Sequence, residues 1–144
     1  MKILIPLDGS ALALDAVHHA LKLHRAGLRA SFVLATVQEP DTMYDMVMVP
    51  DAEARDNVNQ AVGAATIESA IALFNAAGVP FEQEVRSGYP APMLIEIAEE
   101  YGCDAIIIGA NGHGTLRNAL LGSVSQAILQ TSSVPVTVVK HTDS

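Results

Sequence analysis

No tryptophan occurs in the 144 residues, and phenylalanine and tyrosine together make up only 4% of them. A core built from this chain must be aliphatic, and half of the residues are apolar. The single cysteine, Cys103, excludes an internal disulfide and a CxxC metal clamp. Positive charge is scarce. Eight Lys and Arg stand against sixteen Asp and Glu, a formal net charge of −8. A field of that sign argues against broad binding to nucleic acid or to an anionic membrane. Any polyanionic ligand needs a local site strong enough to overcome it. Charge of either sign is thin at 17%, and mean hydropathy is +0.31, the opposite of a disordered composition.

The length predicts one domain spanning residues 1–144. The opening apolar run is broken by Pro6 and Asp8, too early for a secretory leader. Asn118 to Val139 carries no formal charge over a membrane-spanning length. It holds Gly122, Ser123, Ser125, Gln126, Gln130, Thr131, Ser132, Ser133 and Pro135, however, too much polarity for a lipid-facing helix. The expectation is a soluble cytoplasmic protein.

Short continuous apolar runs mark strands covered on both faces, as in a parallel sheet. Ile3-Leu4-Ile5, Phe32 to Val37 and Ala105 to Ile108 are such runs. Val134 to Val139 is β-branched but contains Pro135, which removes a ladder donor and predicts an edge strand. Val79 to Arg86 alternates Val79, Phe81, Gln83 and Val85, also edge-like. Between them lie helical patterns. Leu14, Val17 and Leu21 share a face, with Ser10 placed to cap the start and Gly27 the end. An Ala-rich stretch runs from about Glu53 to Ala77, another from Pro90 to Tyr101, and a last from Ser123 to about Gln130. Strand and helix alternate from end to end. That order predicts an α/β fold, a doubly wound five-stranded parallel sheet with helices on both faces. Gln38 to Asp51, with Met43, Met46 and Met48, reads either as a surface excursion or as a lid over the sheet.

Ligands of such sheets bind beyond the carboxyl ends of the strands, where the strand order reverses. Two turns suit that place: Pro6-Leu7-Asp8-Gly9-Ser10 and Gly109-Ala110-Asn111-Gly112-His113-Gly114. Glycines let a ligand approach the backbone, and exposed N–H groups suit anionic oxygens. Gly122-Ser123-Val124-Ser125 opens the last helix, whose N-terminus favours phosphate. Ser123 with Gln126 three residues later also fits a capping box that needs no ligand; both readings stand. No GxxxxGK[ST] or GxGxxG occurs, which excludes a P-loop and the dinucleotide fingerprint. His18, His19 and His24 read as solvated or structural, since adjacent histidines on a helix point apart. His113 is the one histidine placed to touch phosphate. No acid pair flanks a nucleophile, so no catalytic residue and no protein metal site is assigned.

Gly109-x2-Gly112-x9-Gly122-Ser123, with Ile3 to Ser10, Leu120 to Ser125 and Val134 to Val139, resembles the ATP-binding signature and flanks of the universal stress proteins over essentially the whole chain. The resemblance implies a Rossmann-like fold of the adenine-nucleotide hydrolase-like kind. It implies that Pro6, Leu7 and Asp8 line the adenine and ribose pocket, with Val37 packing on adenine. Gly109 and Gly112 would approach ribose and phosphate, and Gly122, Ser123, Val124 and Ser125 would hold the phosphate tail. The implied partners are ATP, or ADP or AMP, with Mg²⁺ or Mn²⁺, and a second copy paired through Val134–Val139. Ala110 and Asn111 depart from the Ser-plus-basic or Ser-His pair expected there. His113 stands where lysine or arginine is common, and Arg117 is the only permanent cation between Gly109 and Ser125. That implies modest ATP affinity. The implied role is a stress-response sensor or modulator, with at most slow ATP hydrolysis or autophosphorylation. Two rivals remain: a nucleotide-independent dimeric interaction module with a degenerate site, and an adenylating enzyme, for which Asp8-Gly9-Ser10 is only a fragment of the expected loop.

Overall fold

The computed structural model describes residues 1–8, 13–39, 67–110 and 122–141. Five strands form one sheet: β1 (Lys2–Pro6), β2 (Ser31–Gln38), β3 (Phe81–Ser87), β4 (Ala105–Gly109) and β5 (Val136–Val139). Every pairing is parallel, and the spatial order is β3-β2-β1-β4-β5. Among the described residues four helices connect them: α1 (Ala13–Arg25), α2 (67–77), α3 (Pro90–Glu100) and α4 (Ser123–Thr131). The doubly wound parallel sheet read from the apolar runs is therefore present, and both strands expected at edges are at edges.

Period-two alternation divides the sheet into two dry faces. Ile3, Ile5 and Leu7 of the β1 segment, with Phe32 and Leu34 of β2, meet Ala16, Val17, Ala20 and Leu21 of α1 and Ile67, Ala70 and Phe74 of α2. Leu4, Val33, Ala35, Ile106 and Ile108 meet Leu94, Ile97 and Ala98 of α3 and Ile128 of α4. All three phenylalanines of the chain fall in the first cluster. Phe74 lies edge-on to Phe32 at 5.2 Å and to Phe81 at 5.8 Å between ring centroids, the favoured aromatic geometry. Scarce aromatics are thus spent where α2 anchors the sheet's β3 side.

Helix ends follow the local chemistry. Gly27 at φ 111° and Gly102 at φ 64° take the left-handed turn that stops α1 and α3. Pro90 occupies the first turn of α3, where its missing N–H costs nothing. Two boundaries differ from expectation. β5 begins at Val136, and Pro135 contributes only its carbonyl, which accepts from Ile106 N–H at 2.9 Å. β3 runs from Phe81 to Ser87, because Val79 is held by Phe74 O at the end of α2. The Ser10 cap, the Glu53–66 part of the Ala-rich stretch and the loop beyond Glu39 lie outside the described residues.

One core polar atom is an exception. Thr36, in β2, is 1% exposed, and its Oγ1 has no hydrogen-bond partner among the described residues. A buried hydroxyl left unbonded costs about 1–3 kcal/mol. Thr36→Val should therefore stabilise the fold by about 1 kcal/mol and raise Tm by about 3 °C. A lower Tm in thermal unfolding refutes the orphan assignment.

Candidate functional site

β1 and β4 are neighbours in space and are separated in sequence by β2 and β3. The connections leaving β1 and β4 therefore diverge, and a crevice opens at their carboxyl ends. Pro6-Leu7-Asp8 and Gly109-Ala110 meet there. Gly122 N–H donates to Ala110 O at 2.9 Å, so the start of the glycine motif is tied to the start of α4. Gly112 and His113, the motif's middle, lie outside the described residues.

Sheet parity decides which side chains reach this crevice. Leu7 points into the α1/α2 cluster, and its N–H is held by Ala35 O at 2.7 Å. It comes to the site through its backbone. Val37 lies half-buried against the α3/α4 cluster beside Ala91 and Met93, and Asp8 is exposed at the end of the neighbouring strand. Pro6 is buried. The crevice therefore lies on the α3/α4 side of the sheet.

At α4 the capping-box reading fails. The N-cap is Gly122, not Ser123, and no side chain caps the helix. Ser123 is already helical and exposed. Gln126 N–H to Gly122 O at 2.9 Å is the first helical bond, so the N–H groups of Ser123, Val124 and Ser125 have no acceptor within the helix. Three donors and a helix dipole point at the crevice, a geometry suited to an anionic oxygen. Ser125 plays another part. It is 4% exposed, and its Oγ donates to Gly109 O at 3.0 Å, fixing α4 on the end of β4. That bond bridges 16 residues, beyond any local sequence signal.

The most strongly coupled charges lie elsewhere. Arg86 bridges Glu84 at 2.8 Å and also Glu100, while Tyr101 Oη donates to Glu84 at 2.7 Å. The bond to Glu84 pushes the Tyr101 phenol up to about 12. Burial opposes ionisation of Glu84, yet donors from Tyr101 and Arg86 hold its carboxyl below the usual range. Lys2 Nζ meets Glu82 at 2.8 Å. These groups pair with one another along the β3 edge and are not part of the crevice. Cys103 is buried before β4, and desolvation raises its thiol. Among the described residues no group of three or more metal-ligating side chains forms, and no helix is long and apolar enough to cross a membrane.

Fold and crevice together define a doubly wound α/β domain with an anion-ready switch point between β1 and β4. Residues 1–140 match the universal stress protein family. The universal stress protein YxiE of Bacillus subtilis is 33% identical, over 96% of this chain and 98% of that protein. MJ0531 of Methanocaldococcus jannaschii is 28% identical, over 96% and 81%. Among solved structures, MJ0577 of the same archaeon superposes with TM-score 0.80 at 27% identity, covering 99% of this chain and 97% of that one. A universal stress protein in complex with cAMP superposes with TM-score 0.72 at 27% identity, covering 99% and 98%. The chain belongs to the universal stress protein family.

The two serines of α4 should separate under mutation. Ser125→Ala removes the donor from the half-buried Gly109 carbonyl and should cost about 1 kcal/mol. Ser123→Ala removes no cap and should stay within about 0.5 kcal/mol. Denaturant midpoints of the two variants check this, and equal losses contradict the N-cap assignment.

Proposed function

We propose that this chain binds an adenine nucleotide at the β1/β4 switch point and acts as a cytoplasmic stress-response sensor or modulator. The observation that carries the reading is the triplet of N–H groups at Ser123–Ser125 that have no acceptor within the helix, tied by Gly122 to Ala110 at the end of β4. The relative solved with cAMP, 27% identical over nearly the whole chain, supports the same ligand class. In this reading Pro6, the Leu7 backbone, Asp8 and Val37 hold the base and ribose. Gly109, Gly112 and His113 approach the ribose and first phosphate, and Gly122 to Ser125 hold the phosphate tail. A divalent cation fits only as a passenger on phosphate oxygens, since no group of three or more metal-ligating side chains forms among the described residues. Hydroxyls without a positioned base suit retention of a nucleotide better than its turnover.

The test is uptake. ATP, ADP or AMP, each with Mg²⁺, should raise Tm, because a ligand bound only by the folded state stabilises it by about 2.7 kcal/mol at one hundred times Kd. Gly122→Val should abolish that shift. Gly122 has φ −61° and ψ 158°, which valine adopts without strain, so the loss reports a blocked ligand. A protein that shows no shift with any of the three, and from which acid extracts no nucleotide, refutes the reading.

The second half of the proposal is a homodimer through β5. Pro135 O and Val139 O accept from β4, so by parallel-ladder geometry Val136 and Val138 turn their backbone groups to the open edge. Antiparallel pairing with a second copy would satisfy them. Val138→Pro removes an outward N–H and should convert a sedimenting dimer to a monomer. An undiminished mass places the contact elsewhere.

A further inference from the structure

We infer that Tyr89 is a stacking platform for the base of the bound nucleotide, an inference that rests on the nucleotide reading above. Tyr89 is 72% exposed, although it is one of only three tyrosines in a chain without tryptophan. Its side chain makes no hydrogen bond and no ring contact with the described residues. Such a ring has its face available to a flat ligand. Its position is fixed from both sides. Gly88 N–H donates to Gln38 O at 2.8 Å, which ties the turn after β3 to the residue following Val37. On the other side, Tyr89 O accepts from Met93 N–H at 3.1 Å, and Tyr89 is the N-cap of α3 in extended backbone, φ −81° and ψ 123°.

Helix α3 lies against β2, and Ala91 and Met93 share a cluster with Val37. Tyr89 therefore stands on the α3/α4 side at the carboxyl edge, as Val37 does. In the order β3-β2-β1-β4 Tyr89 follows the strand beside β2, and with about 4.8 Å between neighbouring strands its side chain reaches the end of β2 at Val37, against which the base is proposed to lie.

The two helix starts on this side differ in a way that orients a ligand. α4 presents the N–H groups of Ser123, Val124 and Ser125. In α3 the corresponding positions are Pro90, Ala91 and Pro92, and proline has no N–H to offer. One end of the crevice is rich in donors. The other is apolar and carries an unengaged aromatic ring. An amphiphilic ligand with an anionic tail and a flat heterocycle matches both ends, and the heterocycle falls beside Tyr89. Stacking of a base on an aromatic face is sequence-tolerant and strong. The contact would favour nucleosides with a large purine face over the same phosphates without a base.

Calorimetric titration of the full chain with ATP, ribose 5-phosphate and inorganic tripolyphosphate tests this. Tyr89→Ala should weaken ATP roughly tenfold, within the range seen for base–aromatic stacking, and leave the two base-free ligands unchanged. Tyr89→Phe keeps the ring and should bind ATP within about twofold of the parent. The residue is exposed, so unaltered thermal unfolding of both variants without ligand confirms that the fold is intact. Parent-like ATP binding by Tyr89→Ala overturns the platform and leaves the nucleotide site standing. Equal weakening of ATP and tripolyphosphate also overturns it, as does Tyr89→Phe binding as weakly as Tyr89→Ala. A parent chain that binds no ATP overturns the site and the platform together.

Discussion

Everything in this molecule turns on β1 pairing with β4. The ladder is short, Ile3 with Ala105 and Leu4 with Ile106. It is extended by Asp104 N–H to Lys2 O at 2.7 Å and Lys2 N–H to the Asp104 carboxylate at 2.9 Å. The chain must run out along β2 and β3, then cross back under α3 to make that pair. Closing so long a loop costs entropy before any contact is formed. It is offset by burial, since Leu4, Ile5 and Ile106 are wholly inaccessible, each removing about 1.5–3 kcal/mol of exposed apolar surface. Without that pair, strands leave β1 and β4 in no particular direction and no crevice exists.

The two edges of the sheet are protected by different means, and the difference follows from sequence. β3 turns Glu82, Glu84 and Arg86 toward the α3 side, where they pair with Lys2, Tyr101 and Glu100. Charges along an edge discourage a visiting strand. β5 is short and β-branched, and its outward groups carry no charge. Only Pro135 at its start blunts it. One edge is closed by electrostatics, and the other carries no such charges among the described residues.

The backbone layout was legible because burial on both faces writes itself into sequence as unbroken aliphatic runs. β1, β2 and β4 are such runs, and Pro135 marked β5 as an edge. Family membership was legible in the spacing from Gly109 to Ser123. What could not be read was whatever depends on parity or distance. Leu7 and Asp8 are adjacent in sequence, but Leu7 is buried in the α1/α2 cluster while Asp8 is exposed, and only the folded strand shows that. Ser123 has the composition of a cap, yet Gly122 takes that position, because its N–H must reach Ala110 O. The Ser125 bond to Gly109, the phenylalanine stack and the orphan hydroxyl of Thr36 are tertiary facts. No window of ten residues contains them. The exposure of Tyr89 is likewise a tertiary fact, which a lone aromatic before a proline does not announce.

A protein of formal charge −8 holding a polyanion must separate its global field from its local one. Screening does half of this, since charges more than about 8 Å apart barely interact at physiological salt. Geometry does the rest. The acids of β3 and of the end of α3 lie along an edge and are partly neutralised by Arg86 and Lys2. The donors of α4 sit at the opposite end of their helices and on the far side of β1. Those donors are backbone N–H groups, which contribute partial positive charge without adding a cation to the sequence. That explains how an anion site can exist in a chain so poor in Lys and Arg. It also limits the site, because three N–H groups and a helix dipole supply only a few tenths to about 2 kcal/mol of charge stabilisation. In the proposed complex the remaining affinity must come from the apolar end of the crevice. Recognition then rests on the base as well as on the phosphate tail.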